Sequence, residues 1–206
     1  MSIRAVIWDL GGVLVRTHDA SGRERLAKRL GSTRPIIEEL VFSSESSRLA
    51  QAGKITVEQH WENVGSIFGL TELELQDFQR DFWSGDRLDQ QLVNTIRSLR
   101  SHYQTGLLSN HFLSLRGELK DVWQIEDAFD AIVISAEEGL LKPEERIYQR
   151  ILERLAVKAE ESVFIDDFSQ NIAGAQAVGM YAIHFRNPEQ ALSELKALLM
   201  VKDNGD

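Results

Sequence analysis

The sequence predicts an α/β fold. It implies a parallel sheet with helices on both faces and a small all-helical module inserted after the first strand. Two observations predict this. From Leu88 onward, short apolar runs alternate with stretches of helical period, and such alternation implies a parallel sheet buried on both sides. Between Arg16 and Asp86, by contrast, the chain is polar, charged and helical in pattern, with no convincing strand.

The elements follow in order. Ala5-Val6-Ile7-Trp8 is a buried strand that runs into Asp9 and the pair Gly11-Gly12. Ser32-Thr33-Arg34-Pro35 starts a helix with Ile36, Ile37, Leu40 and Val41 on its apolar face. Thr56 and Gln59 have capping-box spacing ahead of Trp61, Val64 and Phe68. Thr71 and Glu74 repeat the device before Leu75, Phe78 and Phe82. Leu88, Leu92, Ile96 and Leu99 form a helix. Thr105-Gly106-Leu107-Leu108 is a strand that ends in Ser109-Asn110, and a helix is expected from His111 to Trp123. Ala131 to Ser135 is a strand, and Pro143 sits where a helix would begin. Ser162 to Ile165 is a strand ending at Asp166-Asp167. A helix from Asn171 to Val178 is closed by Gly179. Tyr181 to Phe185 is the last strand, and Asn187-Pro188 opens a final helix through Leu199, with a polar tail from Val201. The domain reading is a core of residues 1–15 and 87–206 and a helical module of residues 16–86.

Composition excludes several function classes. The formal net charge of -9 leaves no basic surplus for nucleic acid or an anionic membrane. With no cysteine, disulfides, thiol nucleophiles and thiolate-bound zinc are absent. No signal-peptide pattern and no apolar run of membrane length is evident, so the expectation is a cytoplasmic protein, monomer or homodimer.

Right-handed crossovers put all strand ends on one edge of the sheet. Asp9, Ser109-Asn110 and Asp166-Asp167 should therefore gather there, with Lys142 arriving on the loop before Pro143. Carboxylates from different strands repel one another unless a cation lies between them, and hard oxygen ligands suit Mg²⁺. A lysine and a hydroxyl beside them suit a phosphoryl group. Aspartate can itself attack phosphorus. The residues therefore point to metal-assisted phosphoryl transfer.

Four motifs in order then carry a family resemblance over nearly the whole chain. They are Asp9 in Trp8-Asp9-Leu10-Gly11-Gly12; Ser109-Asn110; Lys142 in Gly139-Leu140-Leu141-Lys142-Pro143; and Asp166-Asp167 in Phe164-Ile165-Asp166-Asp167. Together they resemble the haloacid dehalogenase-like (HAD) hydrolase superfamily, in its phosphatase branch with a helical cap. Ala52-Gly53-Lys54-Ile55-Thr56 and Trp61 resemble cap segments of sugar-phosphate phosphatases, and the N-terminal phosphatase domain of epoxide hydrolases is also similar. The resemblance implies a Rossmann-like core and assigns roles. Asp9 would be the nucleophile. Leu10, Gly11, Ser109, Asn110 and Lys142 would hold the phosphoryl group. Asp9, the Gly11 carbonyl and Asp167, with Asp166 acting through water, would bind Mg²⁺. Trp61 and Ile55 would face the substrate from the cap. The substrate would be a small phosphorylated metabolite.

The sequence departs from the family at one point. Its phosphatases usually carry a second aspartate two residues after the nucleophile, for proton transfer. Here that residue is Gly11. His18 and His111 are the substitutes within reach along the chain. Gly11 also keeps two alternatives open: a 2-haloacid dehalogenase-type hydrolase, which needs no metal and which the Asp166-Asp167 pair opposes, and a catalytically weak ligand- or partner-binding protein.

Overall fold

The computed structural model describes residues 2–203, with side chains through residue 200. Five strands form one parallel sheet: β1 (Ala5–Trp8), β4 (Gln104–Ser109), β5 (Ala131–Ile134), β6 (Ser162–Asp166) and β7 (Tyr181–His184). Their order across the sheet is β5-β4-β1-β6-β7, which places β1 at the centre.

Each strand splits its residues between two cores, as the two-residue period of a strand requires. Val6, Trp8, Leu107, Ile132, Val163 and Ile165 face one side. There they meet Leu92, Val93 and Ile96 of α6 (Gln90–Leu99) and Leu195 and Leu199 of α11 (Pro188–Asp203). Ala5, Ile7, Leu108, Val133 and Phe164 face the other side. They pack on Ile147, Ile151 and Leu155 of α9 (Glu145–Leu155) and Ala175 of α10 (Ser169–Ala177). Because both faces are covered, the strands are apolar throughout rather than alternating.

Five helices follow β1: α1 (Ser21–Arg29), α2 (Arg34–Phe42), α3 (Glu45–Gln51), α4 (Val57–Phe68) and α5 (Glu72–Trp83). They bury a separate core built on Leu26, Ile37, Val41, Trp61, Val64, Phe78 and Phe82. Both predicted capping boxes form, at Thr56–Gln59 and Thr71–Glu74. Inside this module Arg23 is buried; it bonds the Phe82 carbonyl and pairs with Glu38 and Asp86.

Several expectations need correction. The segment read as strand-free is bounded by a two-stranded antiparallel ribbon, β2 (Val15–Thr17) with β3 (Asp86–Leu88). Neither strand has an apolar run, and the ribbon is held by contacts across some seventy residues, including Thr17 Oγ1 to Asp86 at 2.7 Å. No local pattern reports such pairing. The helix expected from His111 begins only at Leu115, as α7 (Leu115–Gly117), and continues as a π-helical turn, Glu118–Val122. The preceding residues are held elsewhere: the His111 N–H donates to Ser135 Oγ at 3.0 Å. Pro143 lies outside α9, whose first residue is Glu145. Lys142 is instead clamped to Asn110, its N–H donating to Asn110 Oδ1 at 2.8 Å while Asn110 Nδ2 donates to its carbonyl at 3.0 Å. Helix α10 starts at Ser169, two residues before Asn171. The tail from Val201 is helical through Asp203, and its last three residues lie outside the described ones.

Candidate active site

The carboxyl ends of β1, β4 and β6 converge beneath the helical module. Asp9 is the first residue past β1, and its N–H is fixed to the Ile165 carbonyl at 2.9 Å. Lys142 reaches in from the loop before α9. Its ammonium lies 2.8 Å from Asp9 Oδ1 and 2.7 Å from Asp166 Oδ2. It also sits 5.3 Å from the Phe164 ring centroid, over the ring face. Asp9 and Lys142 are 6% and 5% exposed, and Asp166 is fully buried.

The two adjacent aspartates are held differently. Asp166 is saturated: it accepts from the Phe168 N–H at 2.7 Å, from Lys142, and from Asn171 Nδ2 at 3.0 Å on each oxygen. Asn171 is in turn anchored through its carbonyl by the Tyr148 hydroxyl at 2.8 Å. Asp167 has a buried Oδ1 with no hydrogen-bond partner. Asp9 Oδ1 is met by the Lys142 ammonium. Buried polar atoms without partners are rare and costly.

Asp9, Asp166 and Asp167 each offer an oxygen within 4.8 Å of the others. Two buried acids and the half-buried Asp167 face one lysine, so the fully ionised set lacks about two positive charges. The electrostatics follow from that imbalance. Burial pushes the Asp9 carboxyl up to about 8; Lys142 opposes the rise and Asp166 adds to it. Burial and then Asp166 push Asp167 up to about 6. Burial alone would depress Lys142, but Asp9 and Asp166 outweigh it and hold the ammonium above its ordinary value. The donor set and the orphaned Asp167 oxygen fit a hard divalent cation. Gly12 completes the cradle. At φ +76° it adopts a conformation that favours glycine, and a Cβ there would stand 2.1 Å from Asp167 Oδ2.

This imbalance has a measurable sign. An acid whose folded pKa is raised binds more protons folded than unfolded, so stability falls as pH rises between its two values. For Asp9 that window runs from 3.8 to about 8. His60 and His111, both depressed by burial, act oppositely but only below their ordinary 6.5. Metal-free protein is therefore expected to lose stability between about pH 6.5 and 8, and Asp9→Asn to flatten that slope. Urea denaturation at a series of pH values checks it; an unchanged slope in the variant would refute the assignment.

The other predicted residues take these positions. Ser109 is buried at the end of β4, and Ser109, Asn110, Leu10 and Gly11 all line the cleft between sheet and helical module. Among the described residues, the Leu10 and Gly11 N–H groups donate to no main-chain carbonyl. Trp61 packs in the module's own core and also lines the cleft. Ile55 is half-buried and is not one of the lining residues. His111 lines the cleft, with a buried, unpartnered Nδ1 and a pKa pushed down by burial against the pull of Glu118. His18 is exposed and outside the cleft.

Sequence reasoning missed Ser135 and Tyr148. Ser135 Oγ donates to the Gln51 carbonyl of α3 at 2.6 Å and accepts from His111, so it ties the module to the sheet. No local signal marks it. Tyr148 had one signal: a phenol on the apolar stripe of α9 needs a partner for its hydroxyl.

A model of haloacid dehalogenase-like hydrolases matches residues 3–179. The chain belongs to this family. A sesquiterpene phosphatase, astK, from Aspergillus oryzae is 29% identical over 203 residues, covering 96% of this chain and 97% of that protein. Mouse bifunctional epoxide hydrolase 2 is 25% identical over 95% of this chain, which spans 39% of that protein's length. A HAD family enzyme from Bacteroides thetaiotaomicron, solved with magnesium and inorganic phosphate, superposes with a TM-score of 0.75 at 22% identity, covering 91% of this chain and 96% of that one. The last likeness concerns the HAD fold alone. The chain is thus a HAD-family hydrolase with phosphatases among its relatives. Among the described residues, no helix is long and apolar enough to cross a membrane.

Proposed function

We propose that this chain is a Mg²⁺-dependent phosphatase that hydrolyses a small phosphorylated metabolite through an aspartyl-phosphate on Asp9. The observation that carries the reading is the unpartnered buried oxygen of Asp167, in a site where three acids face one lysine. Asp9, the Gly11 carbonyl and Asp167 would hold the ion directly. Asp166, already saturated, would act through water and position Lys142. When bound, the cation supplies charge that offsets carboxylate–phosphate repulsion.

The chain's own residues do the rest. Lys142 holds Asp9 and draws in the phosphoryl group. The free N–H groups of Leu10 and Gly11, the Ser109 hydroxyl and the Asn110 main chain cradle its oxygens. An Asp9 oxygen bonds to phosphorus as the bond to the alcohol oxygen breaks, the departing oxygen taking a proton from solvent. Water then attacks phosphorus, loses a proton to solvent and breaks the bond to Asp9, releasing inorganic phosphate and restoring the carboxylate. Turnover of p-nitrophenyl phosphate with and without Mg²⁺ tests the reading. Activity only with Mg²⁺ is expected, while metal-independent release of halide from 2-haloacids would favour dehalogenation.

Gly11 favours a second reading, a protein of the same fold that binds without turnover. The backbone there accepts a side chain: a Cβ at Gly11 meets nothing within 4 Å. Gly11→Asp is therefore expected to preserve or raise turnover, with a ceiling of roughly 10⁴-fold from added proton transfer. Alkyl phosphates, whose leaving groups are poor, should gain more than p-nitrophenyl phosphate. A tenfold loss with unchanged Mg²⁺ affinity would contradict this account of position 11.

A further inference from the structure

We infer that the alcohol half of the substrate is an extended apolar group rather than a polyol or a second phosphate; this rests on the phosphatase reading above. The cleft over Asp9 is large, about 1800 Å³, well beyond the roughly 300–1,000 Å³ of an ordinary ligand site. Its floor is apolar immediately beside the polar site. Phe168 directly follows Asp167, Leu141 directly precedes Lys142, and Phe112 lies two residues beyond Asn110; all three line the cleft. Phe168 is 63% exposed, an arrangement unfavourable in water unless something covers the ring.

The facing wall is aromatic. Phe42, Trp61 and Trp83 line the cleft from the helical module. Trp83 meets Trp61 edge-on at 6.4 Å and Phe42 at 5.7 Å between ring centroids, so the three form one surface. Phe42 and Trp83 are both among the exposed large apolar side chains. Apolar side chains on both walls of one cleft suit a ligand that is apolar along its length.

Charge excludes a second phosphate. Lys142, Arg16 and Arg23 line the cleft but are each paired with acids. Arg48 is the one lining cation without an acidic partner among the described residues. Against it stand Glu58, Glu62, Glu72 and Glu118, which line the cleft without an ion pair among those residues. A second phosphate would meet a net negative surface. A polyol would leave the aromatic walls uncovered.

The test uses the full chain with Mg²⁺ and a series of n-alkyl phosphates from ethyl to octyl, alongside glycerol 3-phosphate. Each methylene that becomes buried is worth up to about fourfold in kcat/KM. We expect octyl phosphate to exceed ethyl phosphate by roughly tenfold or more, and glycerol 3-phosphate to fall near the ethyl end. Phe168→Ser, a change at an exposed position, should reduce the octyl-to-ethyl ratio about threefold. A flat series, or a preference for glycerol 3-phosphate, overturns the inference while leaving the phosphatase reading intact. If p-nitrophenyl phosphate is not turned over at all, that reading fails instead. Calorimetry with ethyl- and octylphosphonate plus Mg²⁺ then decides the inference by the same ratio: tighter octylphosphonate binding supports it and equal binding overturns it.

Discussion

Asp9→Asn is expected to reduce Mg²⁺-dependent phosphatase turnover on the order of 10⁴-fold or more, to background. The carboxamide has the shape of the carboxylate but cannot attack phosphorus. Asp9 occupies the centre of the site, one residue past the central strand and 2.8 Å from Lys142. The fold should survive the change. It removes a buried acid whose charge the surroundings disfavour, so the metal-free variant should be at least as stable as the wild type above about pH 6.5. Loss of activity with retained stability separates a chemical role from a structural one. Undiminished turnover would remove Asp9 as the nucleophile.

Lys142→Met should have the second largest effect, and it should appear in both stability and activity. The ammonium is buried between two buried carboxylates, at 2.8 Å and 2.7 Å. Removing one partner from a buried ion cluster typically costs about 3–5 kcal/mol, because the remaining charges stay buried and unpaired. Here the cost should be smaller near pH 5, where Asp9 can take up a proton, and larger near pH 8. Mg²⁺ should restore part of it, since the cation and Lys142 would neutralise the same carboxylates. Denaturation with and without Mg²⁺ at both pH values checks this. A cost independent of pH and metal would contradict a shared electrostatic role.

Much of this was legible in the sequence because the information is local. Apolar runs such as Ala5–Trp8 and Ser162–Asp166 have no reading other than buried strands once helices separate them. Parallel topology then carries Asp9, Ser109 and Asp166-Asp167 to one sheet edge without further assumptions. The capping boxes at Thr56 and Thr71 are fixed by three-residue spacing.

What was not legible depends on distant contacts. The β2–β3 ribbon has no pattern of its own and exists through pairing across the inserted helices. The late start of α7 comes from His111 and Asn110 being hydrogen-bonded to Ser135 and Lys142. The unequal duties of Asp166 and Asp167 could not be read from two adjacent, identical letters. They follow from Asn171, whose amide saturates one and leaves the other free. The apolar lining was hidden for the same reason: Phe42, Phe112 and Phe168 are scattered along the chain and come to one cleft only in the fold.

The central claim is a covalent phosphate on Asp9. The direct measurement is acid quenching of the enzyme during turnover of a ³²P-labelled phosphate ester with Mg²⁺, followed by peptide mapping. A hydroxylamine-labile label is expected on the peptide containing Asp9, absent without Mg²⁺ and absent in Asp9→Asn. Rapid turnover with no label on that peptide in the first milliseconds, or label retained in Asp9→Asn, would contradict it.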